Sequence, residues 1–181
     1  MNTAFLQDAR RHLQQGEAWA GLAGDALAFA LARVATSGAW LVVVDGPDRA
    51  QQMVRGLRFF HPQPGRVERF PADDTRPYDG FSPSREVVHA RIRCLERVRR
   101  GTDLIVVAEA AALRQRVPDA ATLAAGTRTI GVGDTLERDD LANWLVDAGY
   151  LASGLADGPG RFAVRGDVLD QGPGTDLYAL A

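Results

Sequence analysis

The apolar positions of the chain fall into two alternating rhythms. Residues 4 to 15 place Phe5, Ala9 and Leu13 on one side, the spacing of an amphipathic helix. The stretch DALAFALARVA, from about Asp25 to Ala35, is apolar nearly all round and predicts a buried helix. WLVVV (Trp40–Val44) is a continuous β-branched run, as expected of a strand covered on both faces. A helix over Asp48 to Phe60 and a short strand over Val67 to Phe70 follow. Ser82 and Pro83 then open a helix, with Pro at its first position and with Val88, Ile92, Leu95 and Val98 as its apolar stripe. Gly101 ends it, and DLIVVA (Asp103–Ala108) predicts another buried strand.

Strands alternating with helices in this way predict an α/β fold with a parallel, layered sheet. The rhythm changes after Pro118. A strand-like TRTIGV leads to a helix from about Arg138 to Ala148, stopped by Gly149 at its C′ position. Two short strands, RFAVR and DVLD, join at Gly166. These predict a second, small α+β domain of about sixty residues, a size that is marginal alone. The expected boundary lies near Arg116 to Asp119, giving domains 1–116 and 117–181.

Composition narrows the chemistry. The chain has 181 residues, 46 % hydrophobic and 24 % charged, with a formal net charge of −2. That balance gives no global reason to bind nucleic acid, whose affinity rests on phosphate neutralisation. All 21 basic residues are arginine, which removes phosphate-loop, Schiff-base and general-base lysines. No apolar run is long enough to span a bilayer, and the start lacks the pattern of a secretory signal. A single cysteine, Cys94, leaves no internal disulfide and fits a reducing cytoplasm.

The turn GLAGDALA invites comparison with a phosphate-binding loop. With Gly21 and Gly24 on the loop glycines, Leu27 stands at the lysine position and Ala28 at the magnesium-binding hydroxyl, while Asp25 sets a negative charge against phosphate. This is a degenerate loop, and no nucleotide or other cofactor is expected. His12, His61, His89 and Cys94 lack ligand spacing, so no metal is expected. Ser82 and Ser84 flank Pro83 at a helix start, where capping explains them. The pairs Asp73-Asp74 and Asp139-Asp140 read as solvated, the second also favouring its helix dipole. No catalytic group emerges.

One basic cluster remains, in GRFAVRGD. On a strand Arg161 and Arg165 point one way and Phe162 the other. Two arginines on one face make a docking patch for a protein partner, or else a solvated polar face over buried Phe162 and Val164.

Several segments, in order, resemble one family: GLAGDALAFALA, LRFF (57–60), FPADDTRPYDGFSPSREVVHARI (70–92), LRQRVP (113–118), GDTLERDDLANWLVDAGY (133–150) and RFAVRGDVLD (161–170). They are similar to the N-terminal region of the bacterial transcription-repair coupling factor (Mfd) family, over about residues 15 to 176. The resemblance implies a helicase-like α/β domain related to the excinuclease protein UvrB, with its nucleotide site lost, and an inserted α+β domain that binds the excinuclease protein UvrA. Recruitment of UvrA to RNA polymerase stalled at DNA damage is the implied function. The docking arginine of the family falls on Arg165. A second basic position falls on Leu151, a departure that weakens the implied surface unless Arg161 compensates. The loop after PYD is short where UvrB carries a DNA-clamping hairpin, so FPADDTRPYDGFSP is expected to be a connector. Contacts to RNA polymerase and DNA belong, on this resemblance, to downstream domains that this sequence lacks, and a fragment or truncated reading frame is expected. The rival reading is a nucleotide-dependent helicase or UvrB fragment that binds ATP and DNA.

Overall fold

The computed structural model describes residues 3–18, 20–22, 24–75, 80, 82–101, 103–172 and 176–178. Its α/β class and its parallel sheet accompanied by smaller sheets agree with the sequence pattern. By its internal contacts the chain divides into two compact units, Met1–Ala72 with Gly101–Arg114, and Asp73–Arg100 with Gln115–Ala181. The chain therefore crosses between units more than once, whereas the sequence pattern suggests a single boundary near residue 116.

The first unit contains helices α1 (Thr3–Gln15), α2 (Ala26–Val34) and α3 (Pro47–Phe60), and strands β1 (Trp40–Val44), β2 (Val67–Phe70) and β3 (Ile105–Glu109). The strands form one parallel sheet in the order β1-β3-β2. The helices α2 and α3 pack on it through Ala28, Leu31, Met53 and Leu57 against Val67, Ile105 and Val107. Central β3 is almost wholly buried. Edge strand β1 is not: Leu41 and Val43 are 58 % and 50 % exposed. The expectation that WLVVV is covered on both faces is corrected by its place at the edge, since a β-branched run has the same composition in either position.

A buried arginine locks the loops of this unit. Arg66 donates from Nη1 to the carbonyl of Thr36 at 2.7 Å, from Nη2 to that of Gly38 at 3.0 Å, and from Nε to that of Asp103 at 3.2 Å. These carbonyls lie in the turns that feed β1 and β3, where no ladder satisfies them. His61 adds a further tie. The Gln63 N–H donates to its Nδ1, leaving Nε2 to donate to the Ala35 carbonyl just past α2.

The second unit contains α4 (Arg85–Arg99), α5 (Ala120–Ala125), β4 (Thr127–Thr129), α6 (Arg138–Asp147), β5 (Leu151–Ala152), β6 (Arg161–Arg165), β7 (Val168–Gln171) and β8 (Asp176–Tyr178). β4 pairs antiparallel with β8. β5 runs parallel to β6, and β7 returns antiparallel beside it. The start of α4 differs from expectation. Ser84 is the N-cap, its Oγ accepting from the Val87 N–H, so Pro83 lies before the cap instead of in the first turn. Gly149 closes α6 as expected: it has φ +86°, and the Gly149 and Tyr150 N–H groups return to Val146 and Leu145.

The connector after Phe70 is tied down at its ends. Asp73 accepts from buried Arg91 at 3.2 Å, and Gln115 accepts from both the Asp73 N–H and Arg91. Asp74 accepts from the Ser84 N–H at 3.0 Å, a bond that lowers its pKa. The reading of this aspartate pair as merely solvated is thus corrected: each carboxylate stabilises one end of the loop. The middle of the connector, with Tyr78, Asp79 and Phe81, lies outside the described residues.

Candidate partner-docking face

Residues directly opposite one another in a sheet share a face. The register pairs Leu151 with Arg161, Ala152 with Phe162, Ala163 with Asp170, and Arg165 with Val168. One face therefore carries Leu151, Arg161, Arg165, Val168 and Asp170 at the surface, with Ala163 of the same face buried. The other carries Phe162 and Leu169 into the core of the unit, beside Leu145, Tyr150 and Leu177. Three of the four residues singled out in the sequence thus come together on the outer face. Phe162, the fourth, is buried beneath it and supports the strand instead of reaching a partner. Val164, expected to be buried with Phe162, is instead 44 % exposed, because it lies next to the hairpin turn at Gly166.

The outer face is apolar at both ends, with Leu151 44 % and Val168 57 % exposed. Between them the arginines are held only loosely. Arg165 lies 3.4 Å from Asp170, and Arg161 lies 3.8 Å from Asp157. Exposed ion pairs of this length cost little to exchange for another acceptor. Val168 and Asp170 were not singled out in the sequence. The alternation that placed Arg161 and Arg165 together finds them too, once the turn at Gly166, φ +59°, is taken as a two-residue hairpin. That turn is anchored by Arg138 at the start of α6, which donates from Nη1 to the Gly166 carbonyl at 2.6 Å while Asp139 accepts from its Nε and Nη2.

The degenerate loop has a different fate. Gly21 and Gly24 take left-handed conformations, φ +83° and +56°, and lead into α2 with Asp25 as its N-cap residue. The Asp25 carboxylate accepts from Gln52 Nε2 at 3.4 Å. Leu27 packs partly buried against the core, and Ala28 is buried against Gly56 of α3. A Cβ on Gly56 would come within 2.7 Å of that of Ala28. His89 and Cys94 are both buried in α4, and burial lowers the His89 pKa. Among the described residues no three His, Cys, Asp or Glu side chains converge as a metal would need. Among them, too, no helix is long and apolar enough to cross a membrane.

Residues 129–179, which include this face, match the model of the UvrB interaction domain family. The wider chain is similar to curated proteins named transcription-repair-coupling factor. It is 35 % identical to that of Myxococcus xanthus over 83 % of this chain and 13 % of the relative. It is 31 % identical to that of Haemophilus influenzae over 96 % of this chain and 15 % of the relative. With that of Escherichia coli the identity is 30 % over 86 % of this chain and 14 % of the relative. Over the stretch that it spans, the chain is similar to the transcription-repair-coupling factors. It spans less than a sixth of the length of these relatives.

Proposed function

We propose that this chain is a non-catalytic docking module of transcription-coupled DNA repair, which recruits the excinuclease protein UvrA through the outer face of β5, β6 and β7. In this reading residues 117–181 carry the docking surface and residues 1–116 form its scaffold. The observation that supports it is the juxtaposition of Arg161 and Arg165 with exposed Leu151 and Val168, inside the stretch that matches the UvrB interaction domain. Loosely held guanidinium groups flanked by apolar side chains suit a partner surface that sets acidic residues beside apolar patches. The packing of Leu27 and Ala28 into the core supports a role that uses no nucleotide.

Binding of the full chain to purified UvrA, measured by calorimetry, tests the reading. Arg165→Ala is expected to weaken binding at least about tenfold, and Arg161→Ala about threefold. No binding by the intact chain, or equal binding by Arg165→Ala, overturns it.

A further inference from the structure

The start of α2 and the outward side of α3 enclose a groove of 590 Å³ that the docking face does not use. Its floor is backbone at Gly56, where Ala28 leaves no room for a side chain. Asp25 reaches it from the start of α2 and Asp48 from the first turn of α3. Phe59 forms its rim and is 81 % exposed. We propose that this groove binds the guanidinium group of an arginine presented by a protein partner.

Three features fit that ligand. First, the carboxylates stand ready. Asp48 has no side-chain partner among the described residues, and Asp25 has only the long bond from Gln52. Arg55 is the one cation in the lining, so two negative charges face one positive charge. Second, the Phe59 ring is held edge-on to Phe60, with centroids 4.9 Å apart. It presents an oriented aromatic face, on which a planar cation stacks. An exposed phenylalanine beside two carboxylates also suits a guanidinium better than an ammonium, which is compact and strongly hydrated. Third, Asp25 and Asp48 set their negative charge at the positive ends of α2 and α3, which disfavours phosphate at this position.

The probe is the peptide acetyl-Gly-Arg-Gly-amide, titrated into the full chain and followed by amide chemical shifts. Saturable shifts at Gln52 and Gly56 are expected, with dissociation constants of about a millimolar. The citrulline peptide, nearly isosteric and uncharged, is expected to bind at least about tenfold more weakly. Phe59→Ala and Asp48→Asn are each expected to weaken binding about threefold. Phe59 is largely exposed and Asp48 lies at the surface, so each variant is expected to stay folded, with a thermal melt only slightly below that of the parent chain. Absence of binding, equal binding of the citrulline peptide, indifference to both substitutions, or ATP shifting the same amides overturns the proposal.

Discussion

In the first unit, eleven buried residues among those described, from α2 and its C-terminal end, α3, β2 and β3, meet in one continuous cluster. In the second, five buried residues among those described form the cluster around Leu145 and Phe162. Arginine makes up part of the difference. Glu96, buried in α4, accepts from Arg99 at 2.6 Å and from Arg100 at 2.9 Å, and Arg100 also donates to Thr129 of β4. Arg85 donates to the Gly149 carbonyl at the end of α6. Arg128 lies 5.1 Å over the Trp144 ring. A small unit with little apolar area to bury gains order from charge-assisted hydrogen bonds. The first unit has fewer of them: Arg66 where loops enter, and Arg69 of β2, which donates to buried Glu109 of β3 at 2.6 Å. The lesson concerns vulnerability: both units use such bonds, but the one with the smaller apolar cluster has more of its order resting on them.

The largest test of that contrast is a pair of core truncations. Leu57→Ala and Leu145→Ala each remove a fully buried side chain and are expected to cost about 3 kcal/mol. Leu145→Ala should erase hydrogen-exchange protection in β5, β6 and β7 while β1 and β3 stay protected. Loss of protection in both units together, in both variants, would break the contrast. Next come the buried arginines. Arg66→Ala leaves the carbonyls of Thr36, Gly38 and Asp103 without their donor and is expected to cost about 2 kcal/mol by denaturant melt.

Acid should separate the units further. Bonds from Arg99, then from Arg100, hold the Glu96 pKa below its ordinary value of 4.5 against the opposing effect of burial. A depressed carboxylate contributes stability that is full above its unfolded pKa and is lost as pH falls through the folded one. Glu96→Gln is therefore expected to cost about 1–2 kcal/mol at pH 7, and the difference from the parent chain should vanish well below pH 4.5. Asp74 and Asp119 are depressed in the same sense, by the N–H groups of Ser84 and Thr122 respectively. Circular dichroism from pH 7 to about pH 3 measures this. The smallest effect is expected on the docking face. Arg165→Ala should change stability by less than about 0.5 kcal/mol, because its pair with Asp170 is exposed and long. A larger loss would make Arg165 a structural residue of the hairpin.

Much of this fold is written in local periodicity. Val67–Phe70 and the Gly149 stop of α6 stand where the apolar pattern and the C′ glycine put them. What escaped depends on distant partners. The composition of Trp40–Val44 cannot reveal that β3, which comes about sixty residues later, takes the centre and leaves β1 at the edge. The short strand β8 has three residues and exists only through pairing with β4. Helix α5 hid in an alanine-rich stretch, although Asp119 caps it with a 2.7 Å bond to the Thr122 N–H. For the candidate face, strand alternation grouped Arg161 with Arg165. The contribution of Leu151 from another strand needed the parallel pairing of β5 with β6.

That pairing carries a consequence for how the sequence of this segment can vary in length. Side chains alternate along β6, so deleting one residue between Arg161 and Arg165 would swing one arginine toward Leu145 and turn Phe162 or its neighbour outward. Insertions in the stretch between Ala152 and Arg161 carry no such penalty, because that loop can absorb them before the strand begins. The hairpin is thus a ratchet with a step of two residues, and the loop before it is the place where relatives are free to differ.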